Sequence, residues 1–491
     1  MIDVSEKDFL TIKSILEAQV PDCEVRAFGS RVTWTAKDHS DLDLVIVGSG
    51  KLENGKLDHV KRAMEESSLP FRVDVLDWHR ISREFQHNIE KNFTVIKKSG
   101  QKTSNGWRYI KVADFAEVVG GGTPKTGVPE YWGGDIPWIT PKDLSDHNER
   151  FISRGERSIT KEGLKNSAAR LVPENTVLLT SRAPVGYLAI AKKPLTTNQG
   201  FRSLIIKEGF SPEFIYYLLL NNVDYLKQHA SGSTFQELSG STLKNLQFQI
   251  PPLPEQFSIA KILSDLDDKI ELNQQMNKIL KSIAQALFKQ WFVEFEFPGH
   301  DKVKLVKGLP EGWKIRLIGD VLELAYGKAL KEDKRQLGEI PVYGSNGQIG
   351  WHNESLVKGP SIVIGRKGNP GIVTWAPTDF FPIDTSFYVV IKDIKLSMYY
   401  LLHALLNIDL ASLGADSAVP GLNRNIAYNT EILIPTAEVI KEFDKFVKPL
   451  FDQVLLNDQE AAKLSQMRDS LLPKLMSGRI RIKESMAGRL S

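Results

Sequence analysis

A chain of 491 residues is too long for one hydrophobic core and implies about three to five domains. Its 42% apolar and 25% charged residues make an ordinary globular balance, and a net charge of +3 does not mark a nucleic-acid binder, so any such reading has to come from local features. Cys23 is the single cysteine, which excludes an internal disulfide and fits a reducing cytoplasm. The nine histidines show no zinc-ligand spacing, and no apolar run approaches the roughly 18 residues that a membrane span needs.

In chain order, the first informative stretch is Gly29-Ser30, then ten intervening residues, then Asp41-Leu42-Asp43. The aspartates open an apolar run, Leu44 to Val47, that reads as a strand. Alternation puts Asp41 and Asp43 on one face of it. Asp74 lies in a second apparent strand, Phe71 to Leu76. Three carboxylates on one face suit one or two magnesium ions, which can clamp both oxygens of an in-line phosphoryl displacement. A Gly-Ser turn can offer N–H groups and a hydroxyl to a triphosphate.

The segment GSRVTWTAKDHSDLDLVIV resembles the signature of the minimal nucleotidyltransferase family. The resemblance implies a small α/β domain over residues 1–98, with Gly29 and Ser30 binding nucleotide and Asp41, Asp43 and Asp74 as catalytic metal ligands. Mg2+ and a nucleoside triphosphate would be its cofactors. Members often carry glycine or another small residue where Trp34 stands, so the loop by the nucleotide differs here. A domain that keeps the fold without turnover, or acts as an antitoxin-like partner, is the other reading.

Beyond this domain the chain repeats itself. Gly106-Trp107 and Gly312-Trp313 each open a Gly- and Pro-punctuated stretch of short strands, with a helix expected over Pro212 to Gln228 in the first. Each stretch ends at a proline stop, IPPLPEQ and LIPTAEV, with Pro251 and Pro435 offset by 184. Long helices follow, over about Glu255 to Trp291 and Ala437 to Leu475. Their seams, Ile259, Leu263, Leu266, Ile270 and Phe443, Val447, Leu450, Val454, have the 3-4 spacing of a coiled coil. Asn273 and Asn457 share the 184 offset at the polar centre, so an antiparallel pair is expected to join them by a hydrogen bond; solvated asparagines are the alternative. Trp291 and Phe292 read as packing residues.

The blocks GGGTPKTGVPEYWGGDIPWITPKDL, LLTSRAPVGYLAI, TTNQGF and GSTFQELSGSTLKNLQFQIPPLPEQ precede the first helix, and YGSNGQIGW, GPSIVIGRKGNPG, FFPIDTSFYVV and DSAVPGLNRN precede the second. In this order they resemble the specificity subunits of type I restriction-modification systems. The resemblance implies a mixed α/β multidomain chain. Recognition domains would span 105–253 and 308–435, and spacer helices 254–297 and 436–479 would pair as an antiparallel coiled coil. It also implies a subunit that reads a bipartite target in double-stranded DNA without cutting or methylating it. Two adenine methyltransferase (M) subunits and restriction (R) endonuclease subunits would be its partners, holding the S-adenosylmethionine and ATP sites, with no membrane involved. A transferase delivered by a DNA-binding module is the alternative.

Base readout and phosphate contacts call for Arg, Lys, Asn, Gln and small polar groups in loops. The candidates are Ser181, Arg182, Asn198, Gln199, Ser233 and Thr234 in the first domain, and Ser345, Asn346, Arg366, Lys367 and Arg424 in the second. As residues that carry the resemblance they suit phosphate positioning or turn formation. The base readers are expected in the more individual loops Ser145 to Arg157 and Lys328 to Gln336.

Overall fold

The computed structural model describes residues 2–20, 23–37, 40–48, 50–52, 55–97, 106–145, 147, 149–232, 236–414 and 421–482. These fall into two compact units, residues 1–262 with 472–491, and residues 263–471. Among the described residues, no helix is long and apolar enough to cross a membrane.

The N-terminal domain is a four-stranded sheet of β1 (Glu24–Phe28), β2 (Leu42–Val47), β3 (Val73–Asp77) and β4 (Thr94–Lys97), in the order β3-β2-β1-β4. β2 and β3 run parallel, which requires a crossover, and helix Lys56–Glu65 supplies it. Leu42, Leu44, Val45 and Ile46 of β2 are fully buried, and the same core takes in Ile12, Leu16 and Val20 from the end of helix Glu6–Gln19. Ser5 caps that helix by accepting a hydrogen bond from the Asp8 backbone N–H.

The two repeated domains share one plan. In the first, a five-stranded sheet orders Ala116–Gly120, Arg202–Ile206, Val177–Ser181, Val185–Ala191 and Phe151–Ile152, beside a three-stranded sheet centred on Trp132–Ile139. In the second, a four-stranded sheet orders Leu322–Tyr326, Ser386–Ile391, Ser361–Gly365 and Val373–Ala376, beside a three-stranded sheet centred on Ile340–Gly344. Each domain is closed by a two-stranded pair joining its start to the strand before its long helix: Arg108–Lys111 with Gln247–Ile250, and Lys314–Leu317 with Glu431–Ile434.

Two glycine pairs show how literal the duplication is. A Cβ on Gly121 would lie 2.0 Å from the Asn198 carbonyl oxygen, and one on Gly327 would lie 2.1 Å from that of Ile383. Gly106 and Gly312, at φ +80° and +88°, turn the chain in the left-handed region against Pro252 and Thr436. The helix expected over Pro212 to Gln228 is two helices, Pro212–Asn221 and Val223–Gln228. The break falls at Asn222, whose side-chain N–H donates to the Leu218 carbonyl and competes with the helical ladder.

The long helices are Leu253–Phe288, continued by one wider turn over Lys289–Val293, and Ala437–Met476. Within the unit 263–471 they pair antiparallel, with Leu263, Ile270, Phe443, Val447 and Val454 buried along the seam. Trp291 and Phe292 are buried packing residues, in ring contact with Phe443, and Phe292 also meets Trp313 and Tyr400.

At the polar centre the expected bond between Asn273 and Asn457 forms, but through the backbone and at long range: the Asn273 amide donates to the Asn457 carbonyl at 3.5 Å. Asn457 donates its side-chain amide to Asn277 Oδ1 at 2.8 Å, not to Asn273. Asn273 donates to Glu460 at 2.8 Å, and Asn277 to Asp458 at 2.7 Å. With Asp267 bonded to Arg468 at 2.7 Å, these contacts set an antiparallel register whose centre lies between Asn273 and Asn277. Equivalent asparagines face each other only if the crossing point falls on them, and here it falls one half-turn later.

Candidate acidic and DNA-facing sites

The acidic site forms where β1 ends. Phe28 stands opposite Asp43 in the antiparallel register, and the chain then turns at Gly29 with φ +82°. A Cβ at Gly29 would lie 2.3 Å from Asp43 Oδ2, so only glycine lets the turn press on that carboxylate. Asp43 is the direct neighbour of Asp74 across the parallel β2–β3 pair. Asp41, exposed, stands just before β2 on the face of Asp43, while Leu42 and Leu44 turn to the core. The fold thus brings Gly29, Asp41, Asp43 and Asp74 together, with Ser30 opening the short helix Ser30–Thr33 beside them.

Burial, then the carboxylates of Asp74 and Asp41, hold the Asp43 carboxyl above its usual range. Such a cluster is relieved by a cation, and an all-oxygen donor set suits Mg2+. Among the described residues, however, no three His, Cys, Asp or Glu side chains stand so that they could hold one metal ion. The carboxylates share a face without forming a finished ligand cage.

Arg31, almost fully buried, ties the Gly29-Ser30 turn to the acidic loop. Its Nε and Nη2 donate to the Ser40 carbonyl at 2.9 and 2.7 Å, and its Nη1 donates to the Asp3 carbonyl at 2.7 Å. Trp34 sits in the left-handed region at φ 58° with 64% of its surface exposed, so the departure read from the sequence is a protruding ring.

In the first repeated domain, Ser181 is fully buried and donates its hydroxyl to the Gly200 carbonyl at 3.1 Å. That corrects its reading as a DNA-touching residue: it anchors a strand end. Asn198 Oδ1 accepts from the Gly200 N–H at 2.8 Å, a turn-forming bond, and Gln199 accepts from the Thr123 hydroxyl. Ser233 and Thr234 lie outside the described residues, as do Asp146 and Asn148 of the loop expected to read bases. Arg182 is part-exposed and faces Glu237, which also holds Arg202, a residue not singled out from sequence.

In the second domain, Ser345 donates its hydroxyl to the Lys367 carbonyl, and Asn369 donates to Asn346 Oδ1, so these two residues also brace turns. Lys367 is exposed. Arg366 and Arg424 come together over Tyr326, each guanidinium carbon 4.8 Å from the ring centre. Sequence reasoning missed Tyr326, since nothing local ties it to arginines 40 and 98 residues away.

Residues 104–282 and 310–466 match the family described as type I restriction modification DNA specificity domain. The chain belongs to that family. The MjaIX type I restriction enzyme specificity subunit of Methanocaldococcus jannaschii is 37% identical over 420 residues, 78% of this chain and 95% of the relative. The crystal structure of a type I restriction-modification S subunit from M. genitalium aligns with a TM-score of 0.53 at 19% identity, over 76% of this chain and 97% of the other, a likeness of fold. Ahead of the specificity region, residues 11–102 match the polymerase beta nucleotidyltransferase family. There the probable protein adenylyltransferase MntA of Haemophilus influenzae is 43% identical over 97 residues, 20% of this chain and 85% of the relative. This specificity-family chain therefore carries a nucleotidyltransferase domain in front of its two recognition domains.

Proposed function

We propose that this chain is the DNA-reading specificity subunit of a type I restriction-modification complex in the cytoplasm. It reads a split target in double-stranded DNA, one half through each repeated domain. Two M subunits would methylate adenine with S-adenosylmethionine, and R subunits would use ATP to drive cleavage. The observation that carries this reading is the duplication itself: two domains of one plan, each followed by a long helix, in a chain that matches the specificity family over both halves. The paired helices would set the separation of the half-sites, as dimer spacing does in other DNA readers. Residues 1–98, 105–253, 254–297, 308–435 and 436–479 would be its functional segments. Arg182, Arg366, Lys367 and Arg424 are the side chains best placed to position phosphates, with Asn198, Gln199, Ser345 and Asn346 shaping the loops that present them.

The N-terminal domain supports a second activity. The press of Gly29 on Asp43 and the shared face of Asp41, Asp43 and Asp74 favour Mg2+-dependent nucleotide transfer. Those three carboxylates would have to close in around the metal to hold it, and it would supply charge neutralisation at a triphosphate. Gly29 and Ser30 would offer N–H and hydroxyl groups to that triphosphate, while Arg31 holds the turn against the loop before Asp41.

Genome-wide adenine methylation in cells with the gene intact and deleted tests the main reading. A split motif that disappears on deletion, with the M subunit shown to be expressed, is the expected result; an unchanged methylome would overturn it. Asp41→Ala with Asp43→Ala is expected to leave that motif methylated and to abolish transfer from a labelled nucleotide. Loss of methylation in a folded double variant would refute the separation of the two activities.

A further inference from the structure

The same place in each recognition domain carries two guanidiniums, arranged in opposite electrostatic states. In the first domain the place is marked by Gly120, at the end of its strand, paired with Arg202. The residue after strand Val177–Ser181 is Arg182, and the helix capped by Ser239 begins at Gly240. In the second domain Tyr326 ends its strand and pairs with Phe387. Arg366 follows strand Ser361–Gly365, and the helix capped by Asn423 begins at Arg424. Backbone bonds from corresponding leucines, Leu238 N–H to the Ser181 carbonyl and Leu422 N–H to the Arg366 carbonyl, tie the two corners with the acceptor shifted by one residue. By its place directly after the strand, Arg182 is the counterpart of Arg366. The second positive charge has moved from the strand (Arg202, with Gly120 and Gly240 beside it) to the helix start (Arg424, with Tyr326 and Tyr428 beside it).

What differs is the counter-charge. Two residues before Ser239 stands Glu237, whose carboxylate meets Arg202 at 3.0 Å and Arg182 at 3.8 Å. Two residues before Asn423 stands Gly421. Among the described residues, no ion pair involves Arg366 or Arg424. Instead both lie over the Tyr326 ring, whose π-face spreads two like charges, and Arg366 is held by a 2.9 Å bond to the Asp384 carbonyl. Among the described residues, a phosphate approaching the second domain meets two guanidiniums that no carboxylate pairs with; one approaching the first meets a single net positive charge.

Resting on the DNA-reading function above, we propose that Arg366, Tyr326 and Arg424 form a backbone-phosphate subsite in the second recognition domain, and that Glu237 weakens the corresponding subsite in the first by cancelling one of its two charges. The two half-sites then contribute unequally to the salt-dependent part of DNA affinity. Glu237 is a specificity-determining residue: by suppressing phosphate binding it leaves the first half-site more dependent on base readout.

The test uses the whole chain assembled with its M subunits, on a duplex carrying the target found by methylation mapping and on a scrambled duplex. The dissociation constant is followed against KCl concentration. Removing the neutralisation of one phosphate lowers the log–log slope by about 0.9. Arg366→Gln with Arg424→Gln is expected to lower the slope by about 1.8, and Arg182→Gln with Arg202→Gln by less than about half of that. Glu237→Gln is nearly isosteric and keeps the fold. It is expected to steepen the slope by about 0.9 and to narrow the gap between target and scrambled DNA. Equal decreases from the two arginine pairs, or an unchanged slope in Glu237→Gln, would overturn the inference. If the unaltered complex fails to prefer its target, the DNA-reading function itself falls.

Discussion

Asn457→Ala removes the donor from the buried centre of the helix pair. Asn277 and Asn457 are 5% and 4% exposed, and the Asn277 Oδ1 acceptor is satisfied by the 2.8 Å bond between them. Truncating Asn457 leaves that acceptor dry and unpaired, a cost of about 1–3 kcal/mol. It also frees Gln453, which donates to Asn457 Oδ1 at 2.7 Å. Asn277→Ala costs a similar amount, because Asp458 is then deprived of a donor at 2.7 Å. Since one bond is shared, the double variant should cost less than the sum by about 1 kcal/mol. Hydrogen exchange of the amides around 277 and 457, read by mass spectrometry, gives the local opening free energies without assuming that the whole chain unfolds in one step. Additivity within about 0.5 kcal/mol would refute the pairing. Asn277→Leu with Asn457→Leu should recover stability but relax register, seen as methylated targets with more than one spacer length.

Gly29→Ala should unfold or distort the Gly29-Ser30 turn, because φ +82° and the 2.3 Å approach to Asp43 both exclude a methyl group; a melting curve unchanged from wild type would refute this. Asp43→Asn should raise the melting point of the N-terminal domain at neutral pH. Its carboxyl is held above the ordinary value of 3.8, so the charged form is disfavoured in the fold; the gain should fade as pH falls through that raised value and be gone below 3.8, and a drop in stability at pH 7 would refute the reasoning. Burial lowers the His403 pKa to about 4, so protonation opposes folding of the unit 263–471. Stability is complete above the unfolded value of 6.5 and falls by up to about 3 kcal/mol as pH drops towards 4, a decline that His403→Gln should largely remove in pH-dependent calorimetry.

Much was legible in the sequence because it rests on local periodicity. The heptad seams placed both long helices to within a few residues, and strand alternation put Asp41 and Asp43 on one face. The family blocks carried the duplication, and the bland reading of Trp291 and Phe292 as packing agrees with their burial. The register of two antiparallel helices depends on where they cross, which no pattern along one helix states, so the Asn457 side chain met that of Asn277, and Asn273 reached only the Asn457 carbonyl. Likewise a serine in a motif does not declare whether it faces solvent: Ser181 turned inward because its strand lies in the middle of the five-stranded sheet. The charge state of each recognition corner was settled only by folding. Arg182, Arg202 and Glu237, or Tyr326, Arg366 and Arg424, come from strands and helix starts far apart in the chain, and they meet only once the sheets are assembled.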